Sequence, residues 1–137
     1  MFSAELHNRV VNDPSVKPYF GKTEGPVDVS PLLDEPENYV LLACGEDAVG
    51  ILEWTAPDIF QAHYAMLPTC RGVWAVEAAT AMTNYMFEHE GARAIWGQTP
   101  IGNKAARWLN RKVGCVSKGF VDRAADGRCE LFWLERN

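Results

Sequence analysis

The chain has 137 residues, of which 47% are hydrophobic and 23% are charged. This length and composition predict a single domain with one packed core, and they exclude a disordered or fibrous chain. The formal net charge is -5 at pH 7. Such a charge argues against nucleic acid as a partner, because binding to a phosphate backbone needs clustered Lys and Arg.

No stretch approaches the ~18 apolar residues of a membrane span, and the N-terminus lacks the basic start and apolar run of a signal peptide. The sequence therefore predicts a cytoplasmic protein without membrane contact. Its cysteines form no C-x-x-C pair and do not cluster with histidines at metal-ligand spacing, which argues against zinc and against a disulfide framework. The cysteines are Cys44, Cys70, Cys115 and Cys129.

Residues 3–11 have amphipathic spacing, which predicts a helix capped by Ser3. Residues 14–36 hold five of the eight prolines and little periodicity. They predict a long irregular segment with at most a short strand at residues 27–29. Because loops of this length are often functional, the segment is either a lid on the substrate side or surface padding.

Three strands follow, at residues 39–44, 48–54 and 59–67, and their short polar links predict an antiparallel meander. Apolar residues then recur at spacings of three and four, which predicts a long helix closed by Gly91. The later predicted elements are a strand at 94–98, a helix at 103–113, and strands at 119–122 and 129–134. The strand-helix-strand portion, residues 59–98, predicts a right-handed parallel crossover inside an otherwise antiparallel sheet.

Two groups of side chains have alternative interpretations. The tryptophans at 54, 96, 108 and 133 belong to different predicted elements, which favours burial in the core over an aromatic binding surface. Basic residues become frequent between Arg93 and Lys118. They form either the solvated face of one helix or a patch that receives a phosphorylated cofactor.

The stretch from Met66 to Val76 carries the chemical signal. A strand ends at Pro68, a short loop contains Arg71 and Gly72, and a long helix begins. Free backbone N–H groups beside the positive end of a helix dipole bind anions, diphosphates especially, and Arg71 adds a charge-assisted donor. The pattern predicts either an anion-binding loop or an unoccupied structural turn.

This loop resembles that of the Gcn5-related N-acetyltransferase (GNAT) family, where a strand leads through Arg/Gln-x-x-Gly-x-Gly/Ala into a helix that cradles the diphosphate of acetyl-coenzyme A. The family's hydrophobic-x-Pro step is matched by Met66-Leu67-Pro68, and its Arg-Gly pair by Arg71-Gly72. The helix that starts at Asn103 is similar to a second family motif. The resemblance implies an α/β fold, with a mixed, mostly antiparallel sheet of six to seven strands and helices on both faces.

The resemblance also implies the residues that bind acetyl-coenzyme A. They are Met66, Leu67, Arg71, Gly72, Val73, Trp74, Ala75, Val76, Asn103 and Ala106. Two positions that are small in the family are Trp74 and Val76 here, and the indole could obstruct the cradle or turn away from it. The tyrosine that many members use as general acid aligns with Asn110, and the phenylalanine that closes the second motif aligns with Cys115.

Amine acetylation needs a base that takes a proton from the ammonium. Strand alternation places Gln61, His63 and Ala65 on one face, and Gln61 stands about where some family members carry a carboxylate base. His63, with an ordinary pKa of ~6.5, is therefore the candidate catalytic base. Glu53 on the preceding strand is the second candidate, acting through water. For both, the alternative is a strand residue without a catalytic role; Tyr64 is expected on the opposite face, in the core.

Three functions remain open at this point. The first is direct transfer of acetyl to the amine of a small molecule or peptide. The second is a catalytically inactive GNAT-fold protein, since the loop and second helix also look like a GNAT-like group encoded by tailed phages, some of whose members are head-assembly proteins. That interpretation implies the host cytoplasm or the virion, with a homodimer or a virion-assembly partner. The third is sensing of acyl-coenzyme A without transfer.

Overall fold

A computed structural model describes residues 4–20, 25–124 and 127–136. The helices are α1 (Ala4–Val11), α2 (Lys17–Phe20), α3 (Val73–His89) and α4 (Lys104–Val113), with a 3-10 helix at Ser30–Asp34. The strands are β1 (Tyr39–Cys44), β2 (Ala48–Ala56), β3 (Ile59–Met66), β4 (Ala94–Pro100), β5 (Val116–Arg123) and β6 (Gly127–Glu135). The predicted Ser3 cap and residues 125 and 126, between the last two predicted strands, lie outside the described residues. Within those residues, no helix has the length and apolar character needed to cross a bilayer.

The six strands form one sheet in the order β1-β2-β3-β4-β6-β5. Neighbouring strands are antiparallel except β3 and β4, which are parallel and are connected through α3. A mostly antiparallel sheet with one parallel crossover is therefore confirmed. This crossover brings the end of β3 and the start of α3 to the middle of the sheet.

Helices cover both faces of the sheet. The face under α3 buries Leu52 and Phe60 against alanines and methionines of the helix, and the face under α1 buries Ile51 and Ala65. Tyr64 packs on the α3 side, as predicted, and its hydroxyl lies 2.7 Å from Thr83 Oγ1. Alternation along β3 consequently places His63 on the other side of the sheet.

No strand forms at residues 27–29, where the sequence predicted at most a short one. The backbone of this segment instead binds side chains of α1 and of the residue that follows it. Val27 N–H donates to Asn12 Oδ1 at 2.6 Å, and Val29 N–H donates to Asn8 Oδ1 at 2.8 Å. Because these donors are already satisfied, the segment can pack beside α1 without joining the sheet.

The prediction of a buried tryptophan core is wrong for Trp54, Trp96, Trp108 and Trp133. Trp54 and Trp108 are nearly half exposed, and the other two rings are only half-buried. The indole N–H of Trp96 donates to Thr55 Oγ1 at 3.0 Å, and that of Trp133 donates to Glu135 Oε1 at 3.1 Å. An indole needs such a polar partner, and these rings find it near the surface.

Candidate functional site

Strands β3 and β4 lie side by side only at their beginnings. The last paired residues are Gln61 and Trp96, although β3 continues to Met66 and β4 to Pro100. Beyond this point the strands diverge, and within the described chain the edge of β3 that faces β4 has no strand partner. Backbone N–H and C=O groups on such an edge can pair with an extended ligand.

A cavity of about 370 Å³ lies where the open end of β3 meets the first turns of α3 and α4. Six of the predicted cofactor-binding residues line it, namely Met66, Arg71, Gly72, Ala75, Asn103 and Ala106. Four do not line it, namely Leu67, Val73, Trp74 and Val76. The fold thus brings residues from both predicted motifs to one concave surface.

The start of α3 presents unpaired backbone donors. No side chain caps this helix at Gly72, and within the described chain the N–H groups of Gly72, Val73 and Ala75 have no acceptor. Trp74 N–H donates to Arg71 O at 3.3 Å, and Val76 N–H closes the first helical turn. Free amides at the positive end of a 17-residue helix are suited to a negatively charged group.

Arg71 and Trp74 flank these amides differently. Arg71 lines the cavity, and its guanidinium makes no hydrogen bond or ion pair with another described residue. The residue Trp74 is 64% exposed and does not line the cavity. The indole therefore does not plug the mouth of the cavity.

Leu67 turns away from the cavity. Its N–H donates to Asp47 O at 2.8 Å, and its side chain packs against the core under α1. Its backbone N–H is therefore engaged by the β1–β2 turn.

Gly72 has φ 60° and ψ -128°, and an added Cβ would meet no atom within 4 Å. A side chain at this position would meet no steric clash, and its cost would come from the backbone conformation alone. We expect Gly72→Ala to lower the free energy of unfolding by about 1–3 kcal/mol through backbone strain, measured by urea denaturation. Gly102→Ala is the matched control, because Gly102 is equally open and has no positive φ. Equal stabilities of the two variants would contradict this explanation.

The two cavity residues of the second motif bind each other. Asn103 Oδ1 accepts a hydrogen bond from Ala106 N–H at 3.2 Å, which caps α4 at its first turn. At the other end of α4, Gly114 adopts φ 108° as the left-handed C-cap. The motif therefore defines both ends of the helix that forms one wall of the cavity.

The two candidate bases are in contact on the other side of the sheet. His63 Nε2 lies 3.4 Å from Glu53 Oε1, and each side chain is a little over one-third exposed. Burial lowers the pKa of His63 below its ordinary value, and the hydrogen bond that its imidazole donates to Glu53 opposes this only in part. The imidazole is therefore neutral at pH 7 and can accept a proton. His63 lies two residues beyond the point where β3 and β4 separate.

A second cavity of about 150 Å³ lies between the diverging strands and α4. Asn110 lines it and donates its amide to Thr99 Oγ1 at 3.0 Å. Burial raises the pKa of Cys115 to about 11 and that of Tyr64 to about 12. Both groups stay protonated at neutral pH, and Asn110 has no titratable proton.

The basic residues of α4 are only partly a solvated face. Arg107 Nε and Arg111 Nη2 donate to the two carboxylate oxygens of Glu130 on β6, at 2.9 and 2.5 Å. The side chain of Glu130 is 2% exposed. Sequence reasoning missed this cluster, and the signal that could have found it is a glutamate at an inward position of a predicted strand.

No protein-family model matches the chain, and no curated protein matches it. Solved structures share its fold. The aminoglycoside acetyltransferase AAC(6')-Ib, in complex with paromomycin and acetyl-coenzyme A, superposes with a TM-score of 0.78 at 16% identity, over 99% of this chain and 90% of that chain. Spermidine N-acetyltransferase from Vibrio cholerae, in complex with coenzyme A and spermine, gives 0.76 at 11% identity, over 98% and 92%.

An acetyltransferase of the GNAT family from Bacillus anthracis gives a TM-score of 0.74 at 15% identity, over 98% of this chain and 91% of that chain. The chain therefore has the GNAT fold, as its two motifs predicted. Identities this low establish the fold alone.

Proposed function

We propose that the chain is an acyl-coenzyme A-dependent N-acyltransferase that transfers acetyl from acetyl-coenzyme A to a primary amine. The observation that carries the proposal is the convergence of three features on one cavity: the free amides of Gly72 and Ala75, the open edge of β3, and Arg71, which pairs with no other described residue. Two solved structures with the same fold, the aminoglycoside acetyltransferase and the spermidine N-acetyltransferase, are complexes with acetyl-coenzyme A and coenzyme A, respectively.

The cavity suits the two chemical parts of this cofactor. The amides of Gly72, Val73 and Ala75 and the guanidinium of Arg71 suit a diphosphate. The edge of β3 near Met66 suits the amide groups of a pantetheine arm, which can pair with it as a short strand would. Together these features support a ligand that is anionic at one end and extended at the other.

When bound, acetyl-coenzyme A supplies a thioester, on which an amine forms a C–N bond while the C–S bond breaks and the thiolate leaves. In this scheme His63 takes the proton that the ammonium must lose, because its lowered pKa keeps it neutral at pH 7. Glu53 orients the imidazole and stabilises its charged form. The second proton leaves the nitrogen for solvent after the C–N bond forms. Asn110 cannot protonate the thiolate, which takes a proton from solvent.

The acceptor in this proposal is the amine of a small molecule or peptide. The net charge of -5 favours a cationic acceptor over an acidic one. The aminoglycoside acetyltransferase of this fold is in complex with paromomycin, and the spermidine N-acetyltransferase is in complex with spermine. Both ligands carry amines.

A second candidate is a GNAT-fold protein without catalysis, either a structural protein like those of the phage-encoded group or an acyl-coenzyme A sensor. Asn110, which stands at the position of the family's general acid, favours this second candidate. The amide of Asn110 is already bound to Thr99, and the neighbouring Cys115 holds its proton at neutral pH. Binding without turnover on any amine would favour the sensor.

Calorimetric titration with acetyl-coenzyme A tests the proposed function. We expect Arg71→Glu to raise the Kd about 10- to 100-fold, because a hydrogen bond to a charged group contributes about 1.5–3 kcal/mol and the reversed charge repels phosphate. Arg93→Glu is the matched control, since Arg93 is exposed and lies outside the cavity lining. Absence of binding to the unmodified protein at millimolar ligand would overturn both the enzyme and the sensor.

A further inference from the structure

The rim of the larger cavity carries exposed apolar side chains that the proposed function does not use. Val73 and Trp74 on the first turn of α3 are 61% and 64% exposed, Ile101 before α4 is 41% exposed, and Trp108 on α4 is 45% exposed. Exposed apolar side chains beside a cavity are typical of a binding site. An apolar part of the ligand is therefore expected at this rim.

Of these four exposed apolar residues, Trp108 lines the cavity. Lys112 Nζ lies 5.9 Å from the centre of its ring, and Lys112 does not line the cavity. The cation therefore covers one face of the indole, and the residue is still 45% exposed. The other side remains available to a ligand.

The surroundings of Trp108 select the chemistry of that ligand. Gly72 and Ala75, whose backbone amides are free, line the same cavity as Arg71, and Lys104 adds a second exposed cation from α4. A flat aromatic surface beside an anion site suits a ligand that carries both a planar base and phosphate groups. A purine nucleotide has both parts, whereas the pantetheine arm of coenzyme A has no planar ring.

We infer that Trp108 stacks on the adenine of coenzyme A and that this contact distinguishes coenzyme A from shorter phosphopantetheine donors, an inference that rests on the proposed function. Stacking of a base on an aromatic side chain is lost when the ring is removed, whereas the phosphate contacts of α3 remain. The indole thus contributes to affinity for the adenosine part alone.

Calorimetric titration with coenzyme A and with pantetheine 4'-phosphate, which lacks the adenosine, tests the inference. We expect Trp108→Ala to raise the Kd for coenzyme A about 10-fold or more and to leave the Kd for pantetheine 4'-phosphate unchanged. Trp108→Phe should retain most of the affinity for coenzyme A, because it keeps an aromatic face. Trp54→Ala is the matched control, because Trp54 is 44% exposed on β2 and lies outside the cavity lining, and it should bind both ligands as the unmodified protein does.

Trp108→Leu covers the case in which the alanine variant fails to fold, since leucine keeps apolar cover without a π face and should weaken coenzyme A binding similarly. Tryptophan fluorescence gives a second measurement: coenzyme A should quench it more than pantetheine 4'-phosphate does, and Trp108→Leu should abolish the difference. Unchanged coenzyme A affinity in the leucine variant would overturn the inference and leave the proposed function standing. Failure of both ligands to bind the unmodified protein would instead overturn the proposed function.

Discussion

Replacing His63 with alanine should lower kcat/KM for acyl transfer by about 10²–10⁴-fold, the usual contribution of a positioned general base. The imidazole lies where β3 and β4 separate and is neutral at pH 7, because burial lowers its pKa. Steady-state rates with acetyl-coenzyme A and a panel of primary amines measure the loss. Binding of acetyl-coenzyme A should not change, since His63 does not line the larger cavity.

His89→Ala is the matched control, because His89 lies exposed at the end of α3. Its rates should equal those of the unmodified protein. If His63→Ala also keeps full activity, His63 is not the base, whereas the cofactor site is unaffected by that result.

The pH profile separates the roles of His63 and Glu53. A base must be neutral, so kcat/KM should rise as the pH increases through the pKa of His63, which lies below its ordinary 6.5. The hydrogen bond from His63 to the charged carboxylate of Glu53 raises that pKa, and removing this charge in Glu53→Gln should move the acid limb to lower pH. A limb that does not move would mean that Glu53 does not act through His63.

Removing the carboxylate of Glu130 should cause the largest loss of stability. Its two oxygens hold Arg107 and Arg111, so Glu130→Ala leaves two cations without their partner. Loss of one member of a buried ion pair costs about 3–5 kcal/mol, and we expect the lower end of that range because both arginines are partly exposed and recover hydration. Urea denaturation at pH 7 measures the change.

Asp122→Asn provides the matched control for the charge removed. Asp122 pairs with Arg128 at 3.6 Å on the surface, where both side chains are more than half exposed. Such a pair contributes about 0–1 kcal/mol. Equal losses in the Asp122 and Glu130 variants would contradict a stabilising role for the buried cluster.

Acid should weaken the same cluster. Although burial raises the pKa of Glu130, hydrogen bonds from Ser117, Arg107 and Arg111 outweigh it, and the pKa lies below its ordinary 4.5. The stability that these bonds supply is therefore complete above pH 4.5 and is lost as the pH falls through the lowered pKa. Glu130→Gln should lack this part of the acid dependence, and an unchanged dependence would exclude Glu130 as its source.

Glu130 also connects stability to the site. Arg107 and Arg111 fasten α4 to β6, and Asn110 fastens the same helix to Thr99 of β4. Other residues of α4, namely Ala105, Trp108 and Leu109, line the larger cavity. The position of that wall consequently depends on side chains that do not touch a ligand.

The order of the elements and the loop from Met66 to Val76 could be predicted from the sequence. Strand and helix periods, Pro68, and the caps Asn103 and Gly114 are local signals that act over a few residues. The free amides at the start of α3 are also a local feature, because an uncapped helix start has them wherever it lies in the fold.

Contacts between distant residues were decided by the tertiary structure alone. The partnership of Glu130 with Arg107 and Arg111, the exposure of the tryptophans and the outward position of the Trp74 indole depend on which faces the helices cover. The contact of His63 with Glu53 depends on the register between β2 and β3. No local pattern encodes these contacts, because register and helix packing are set by the free energy of the whole core. The sequence by itself therefore determined an α/β chain with a helix start whose free amides suit an anion.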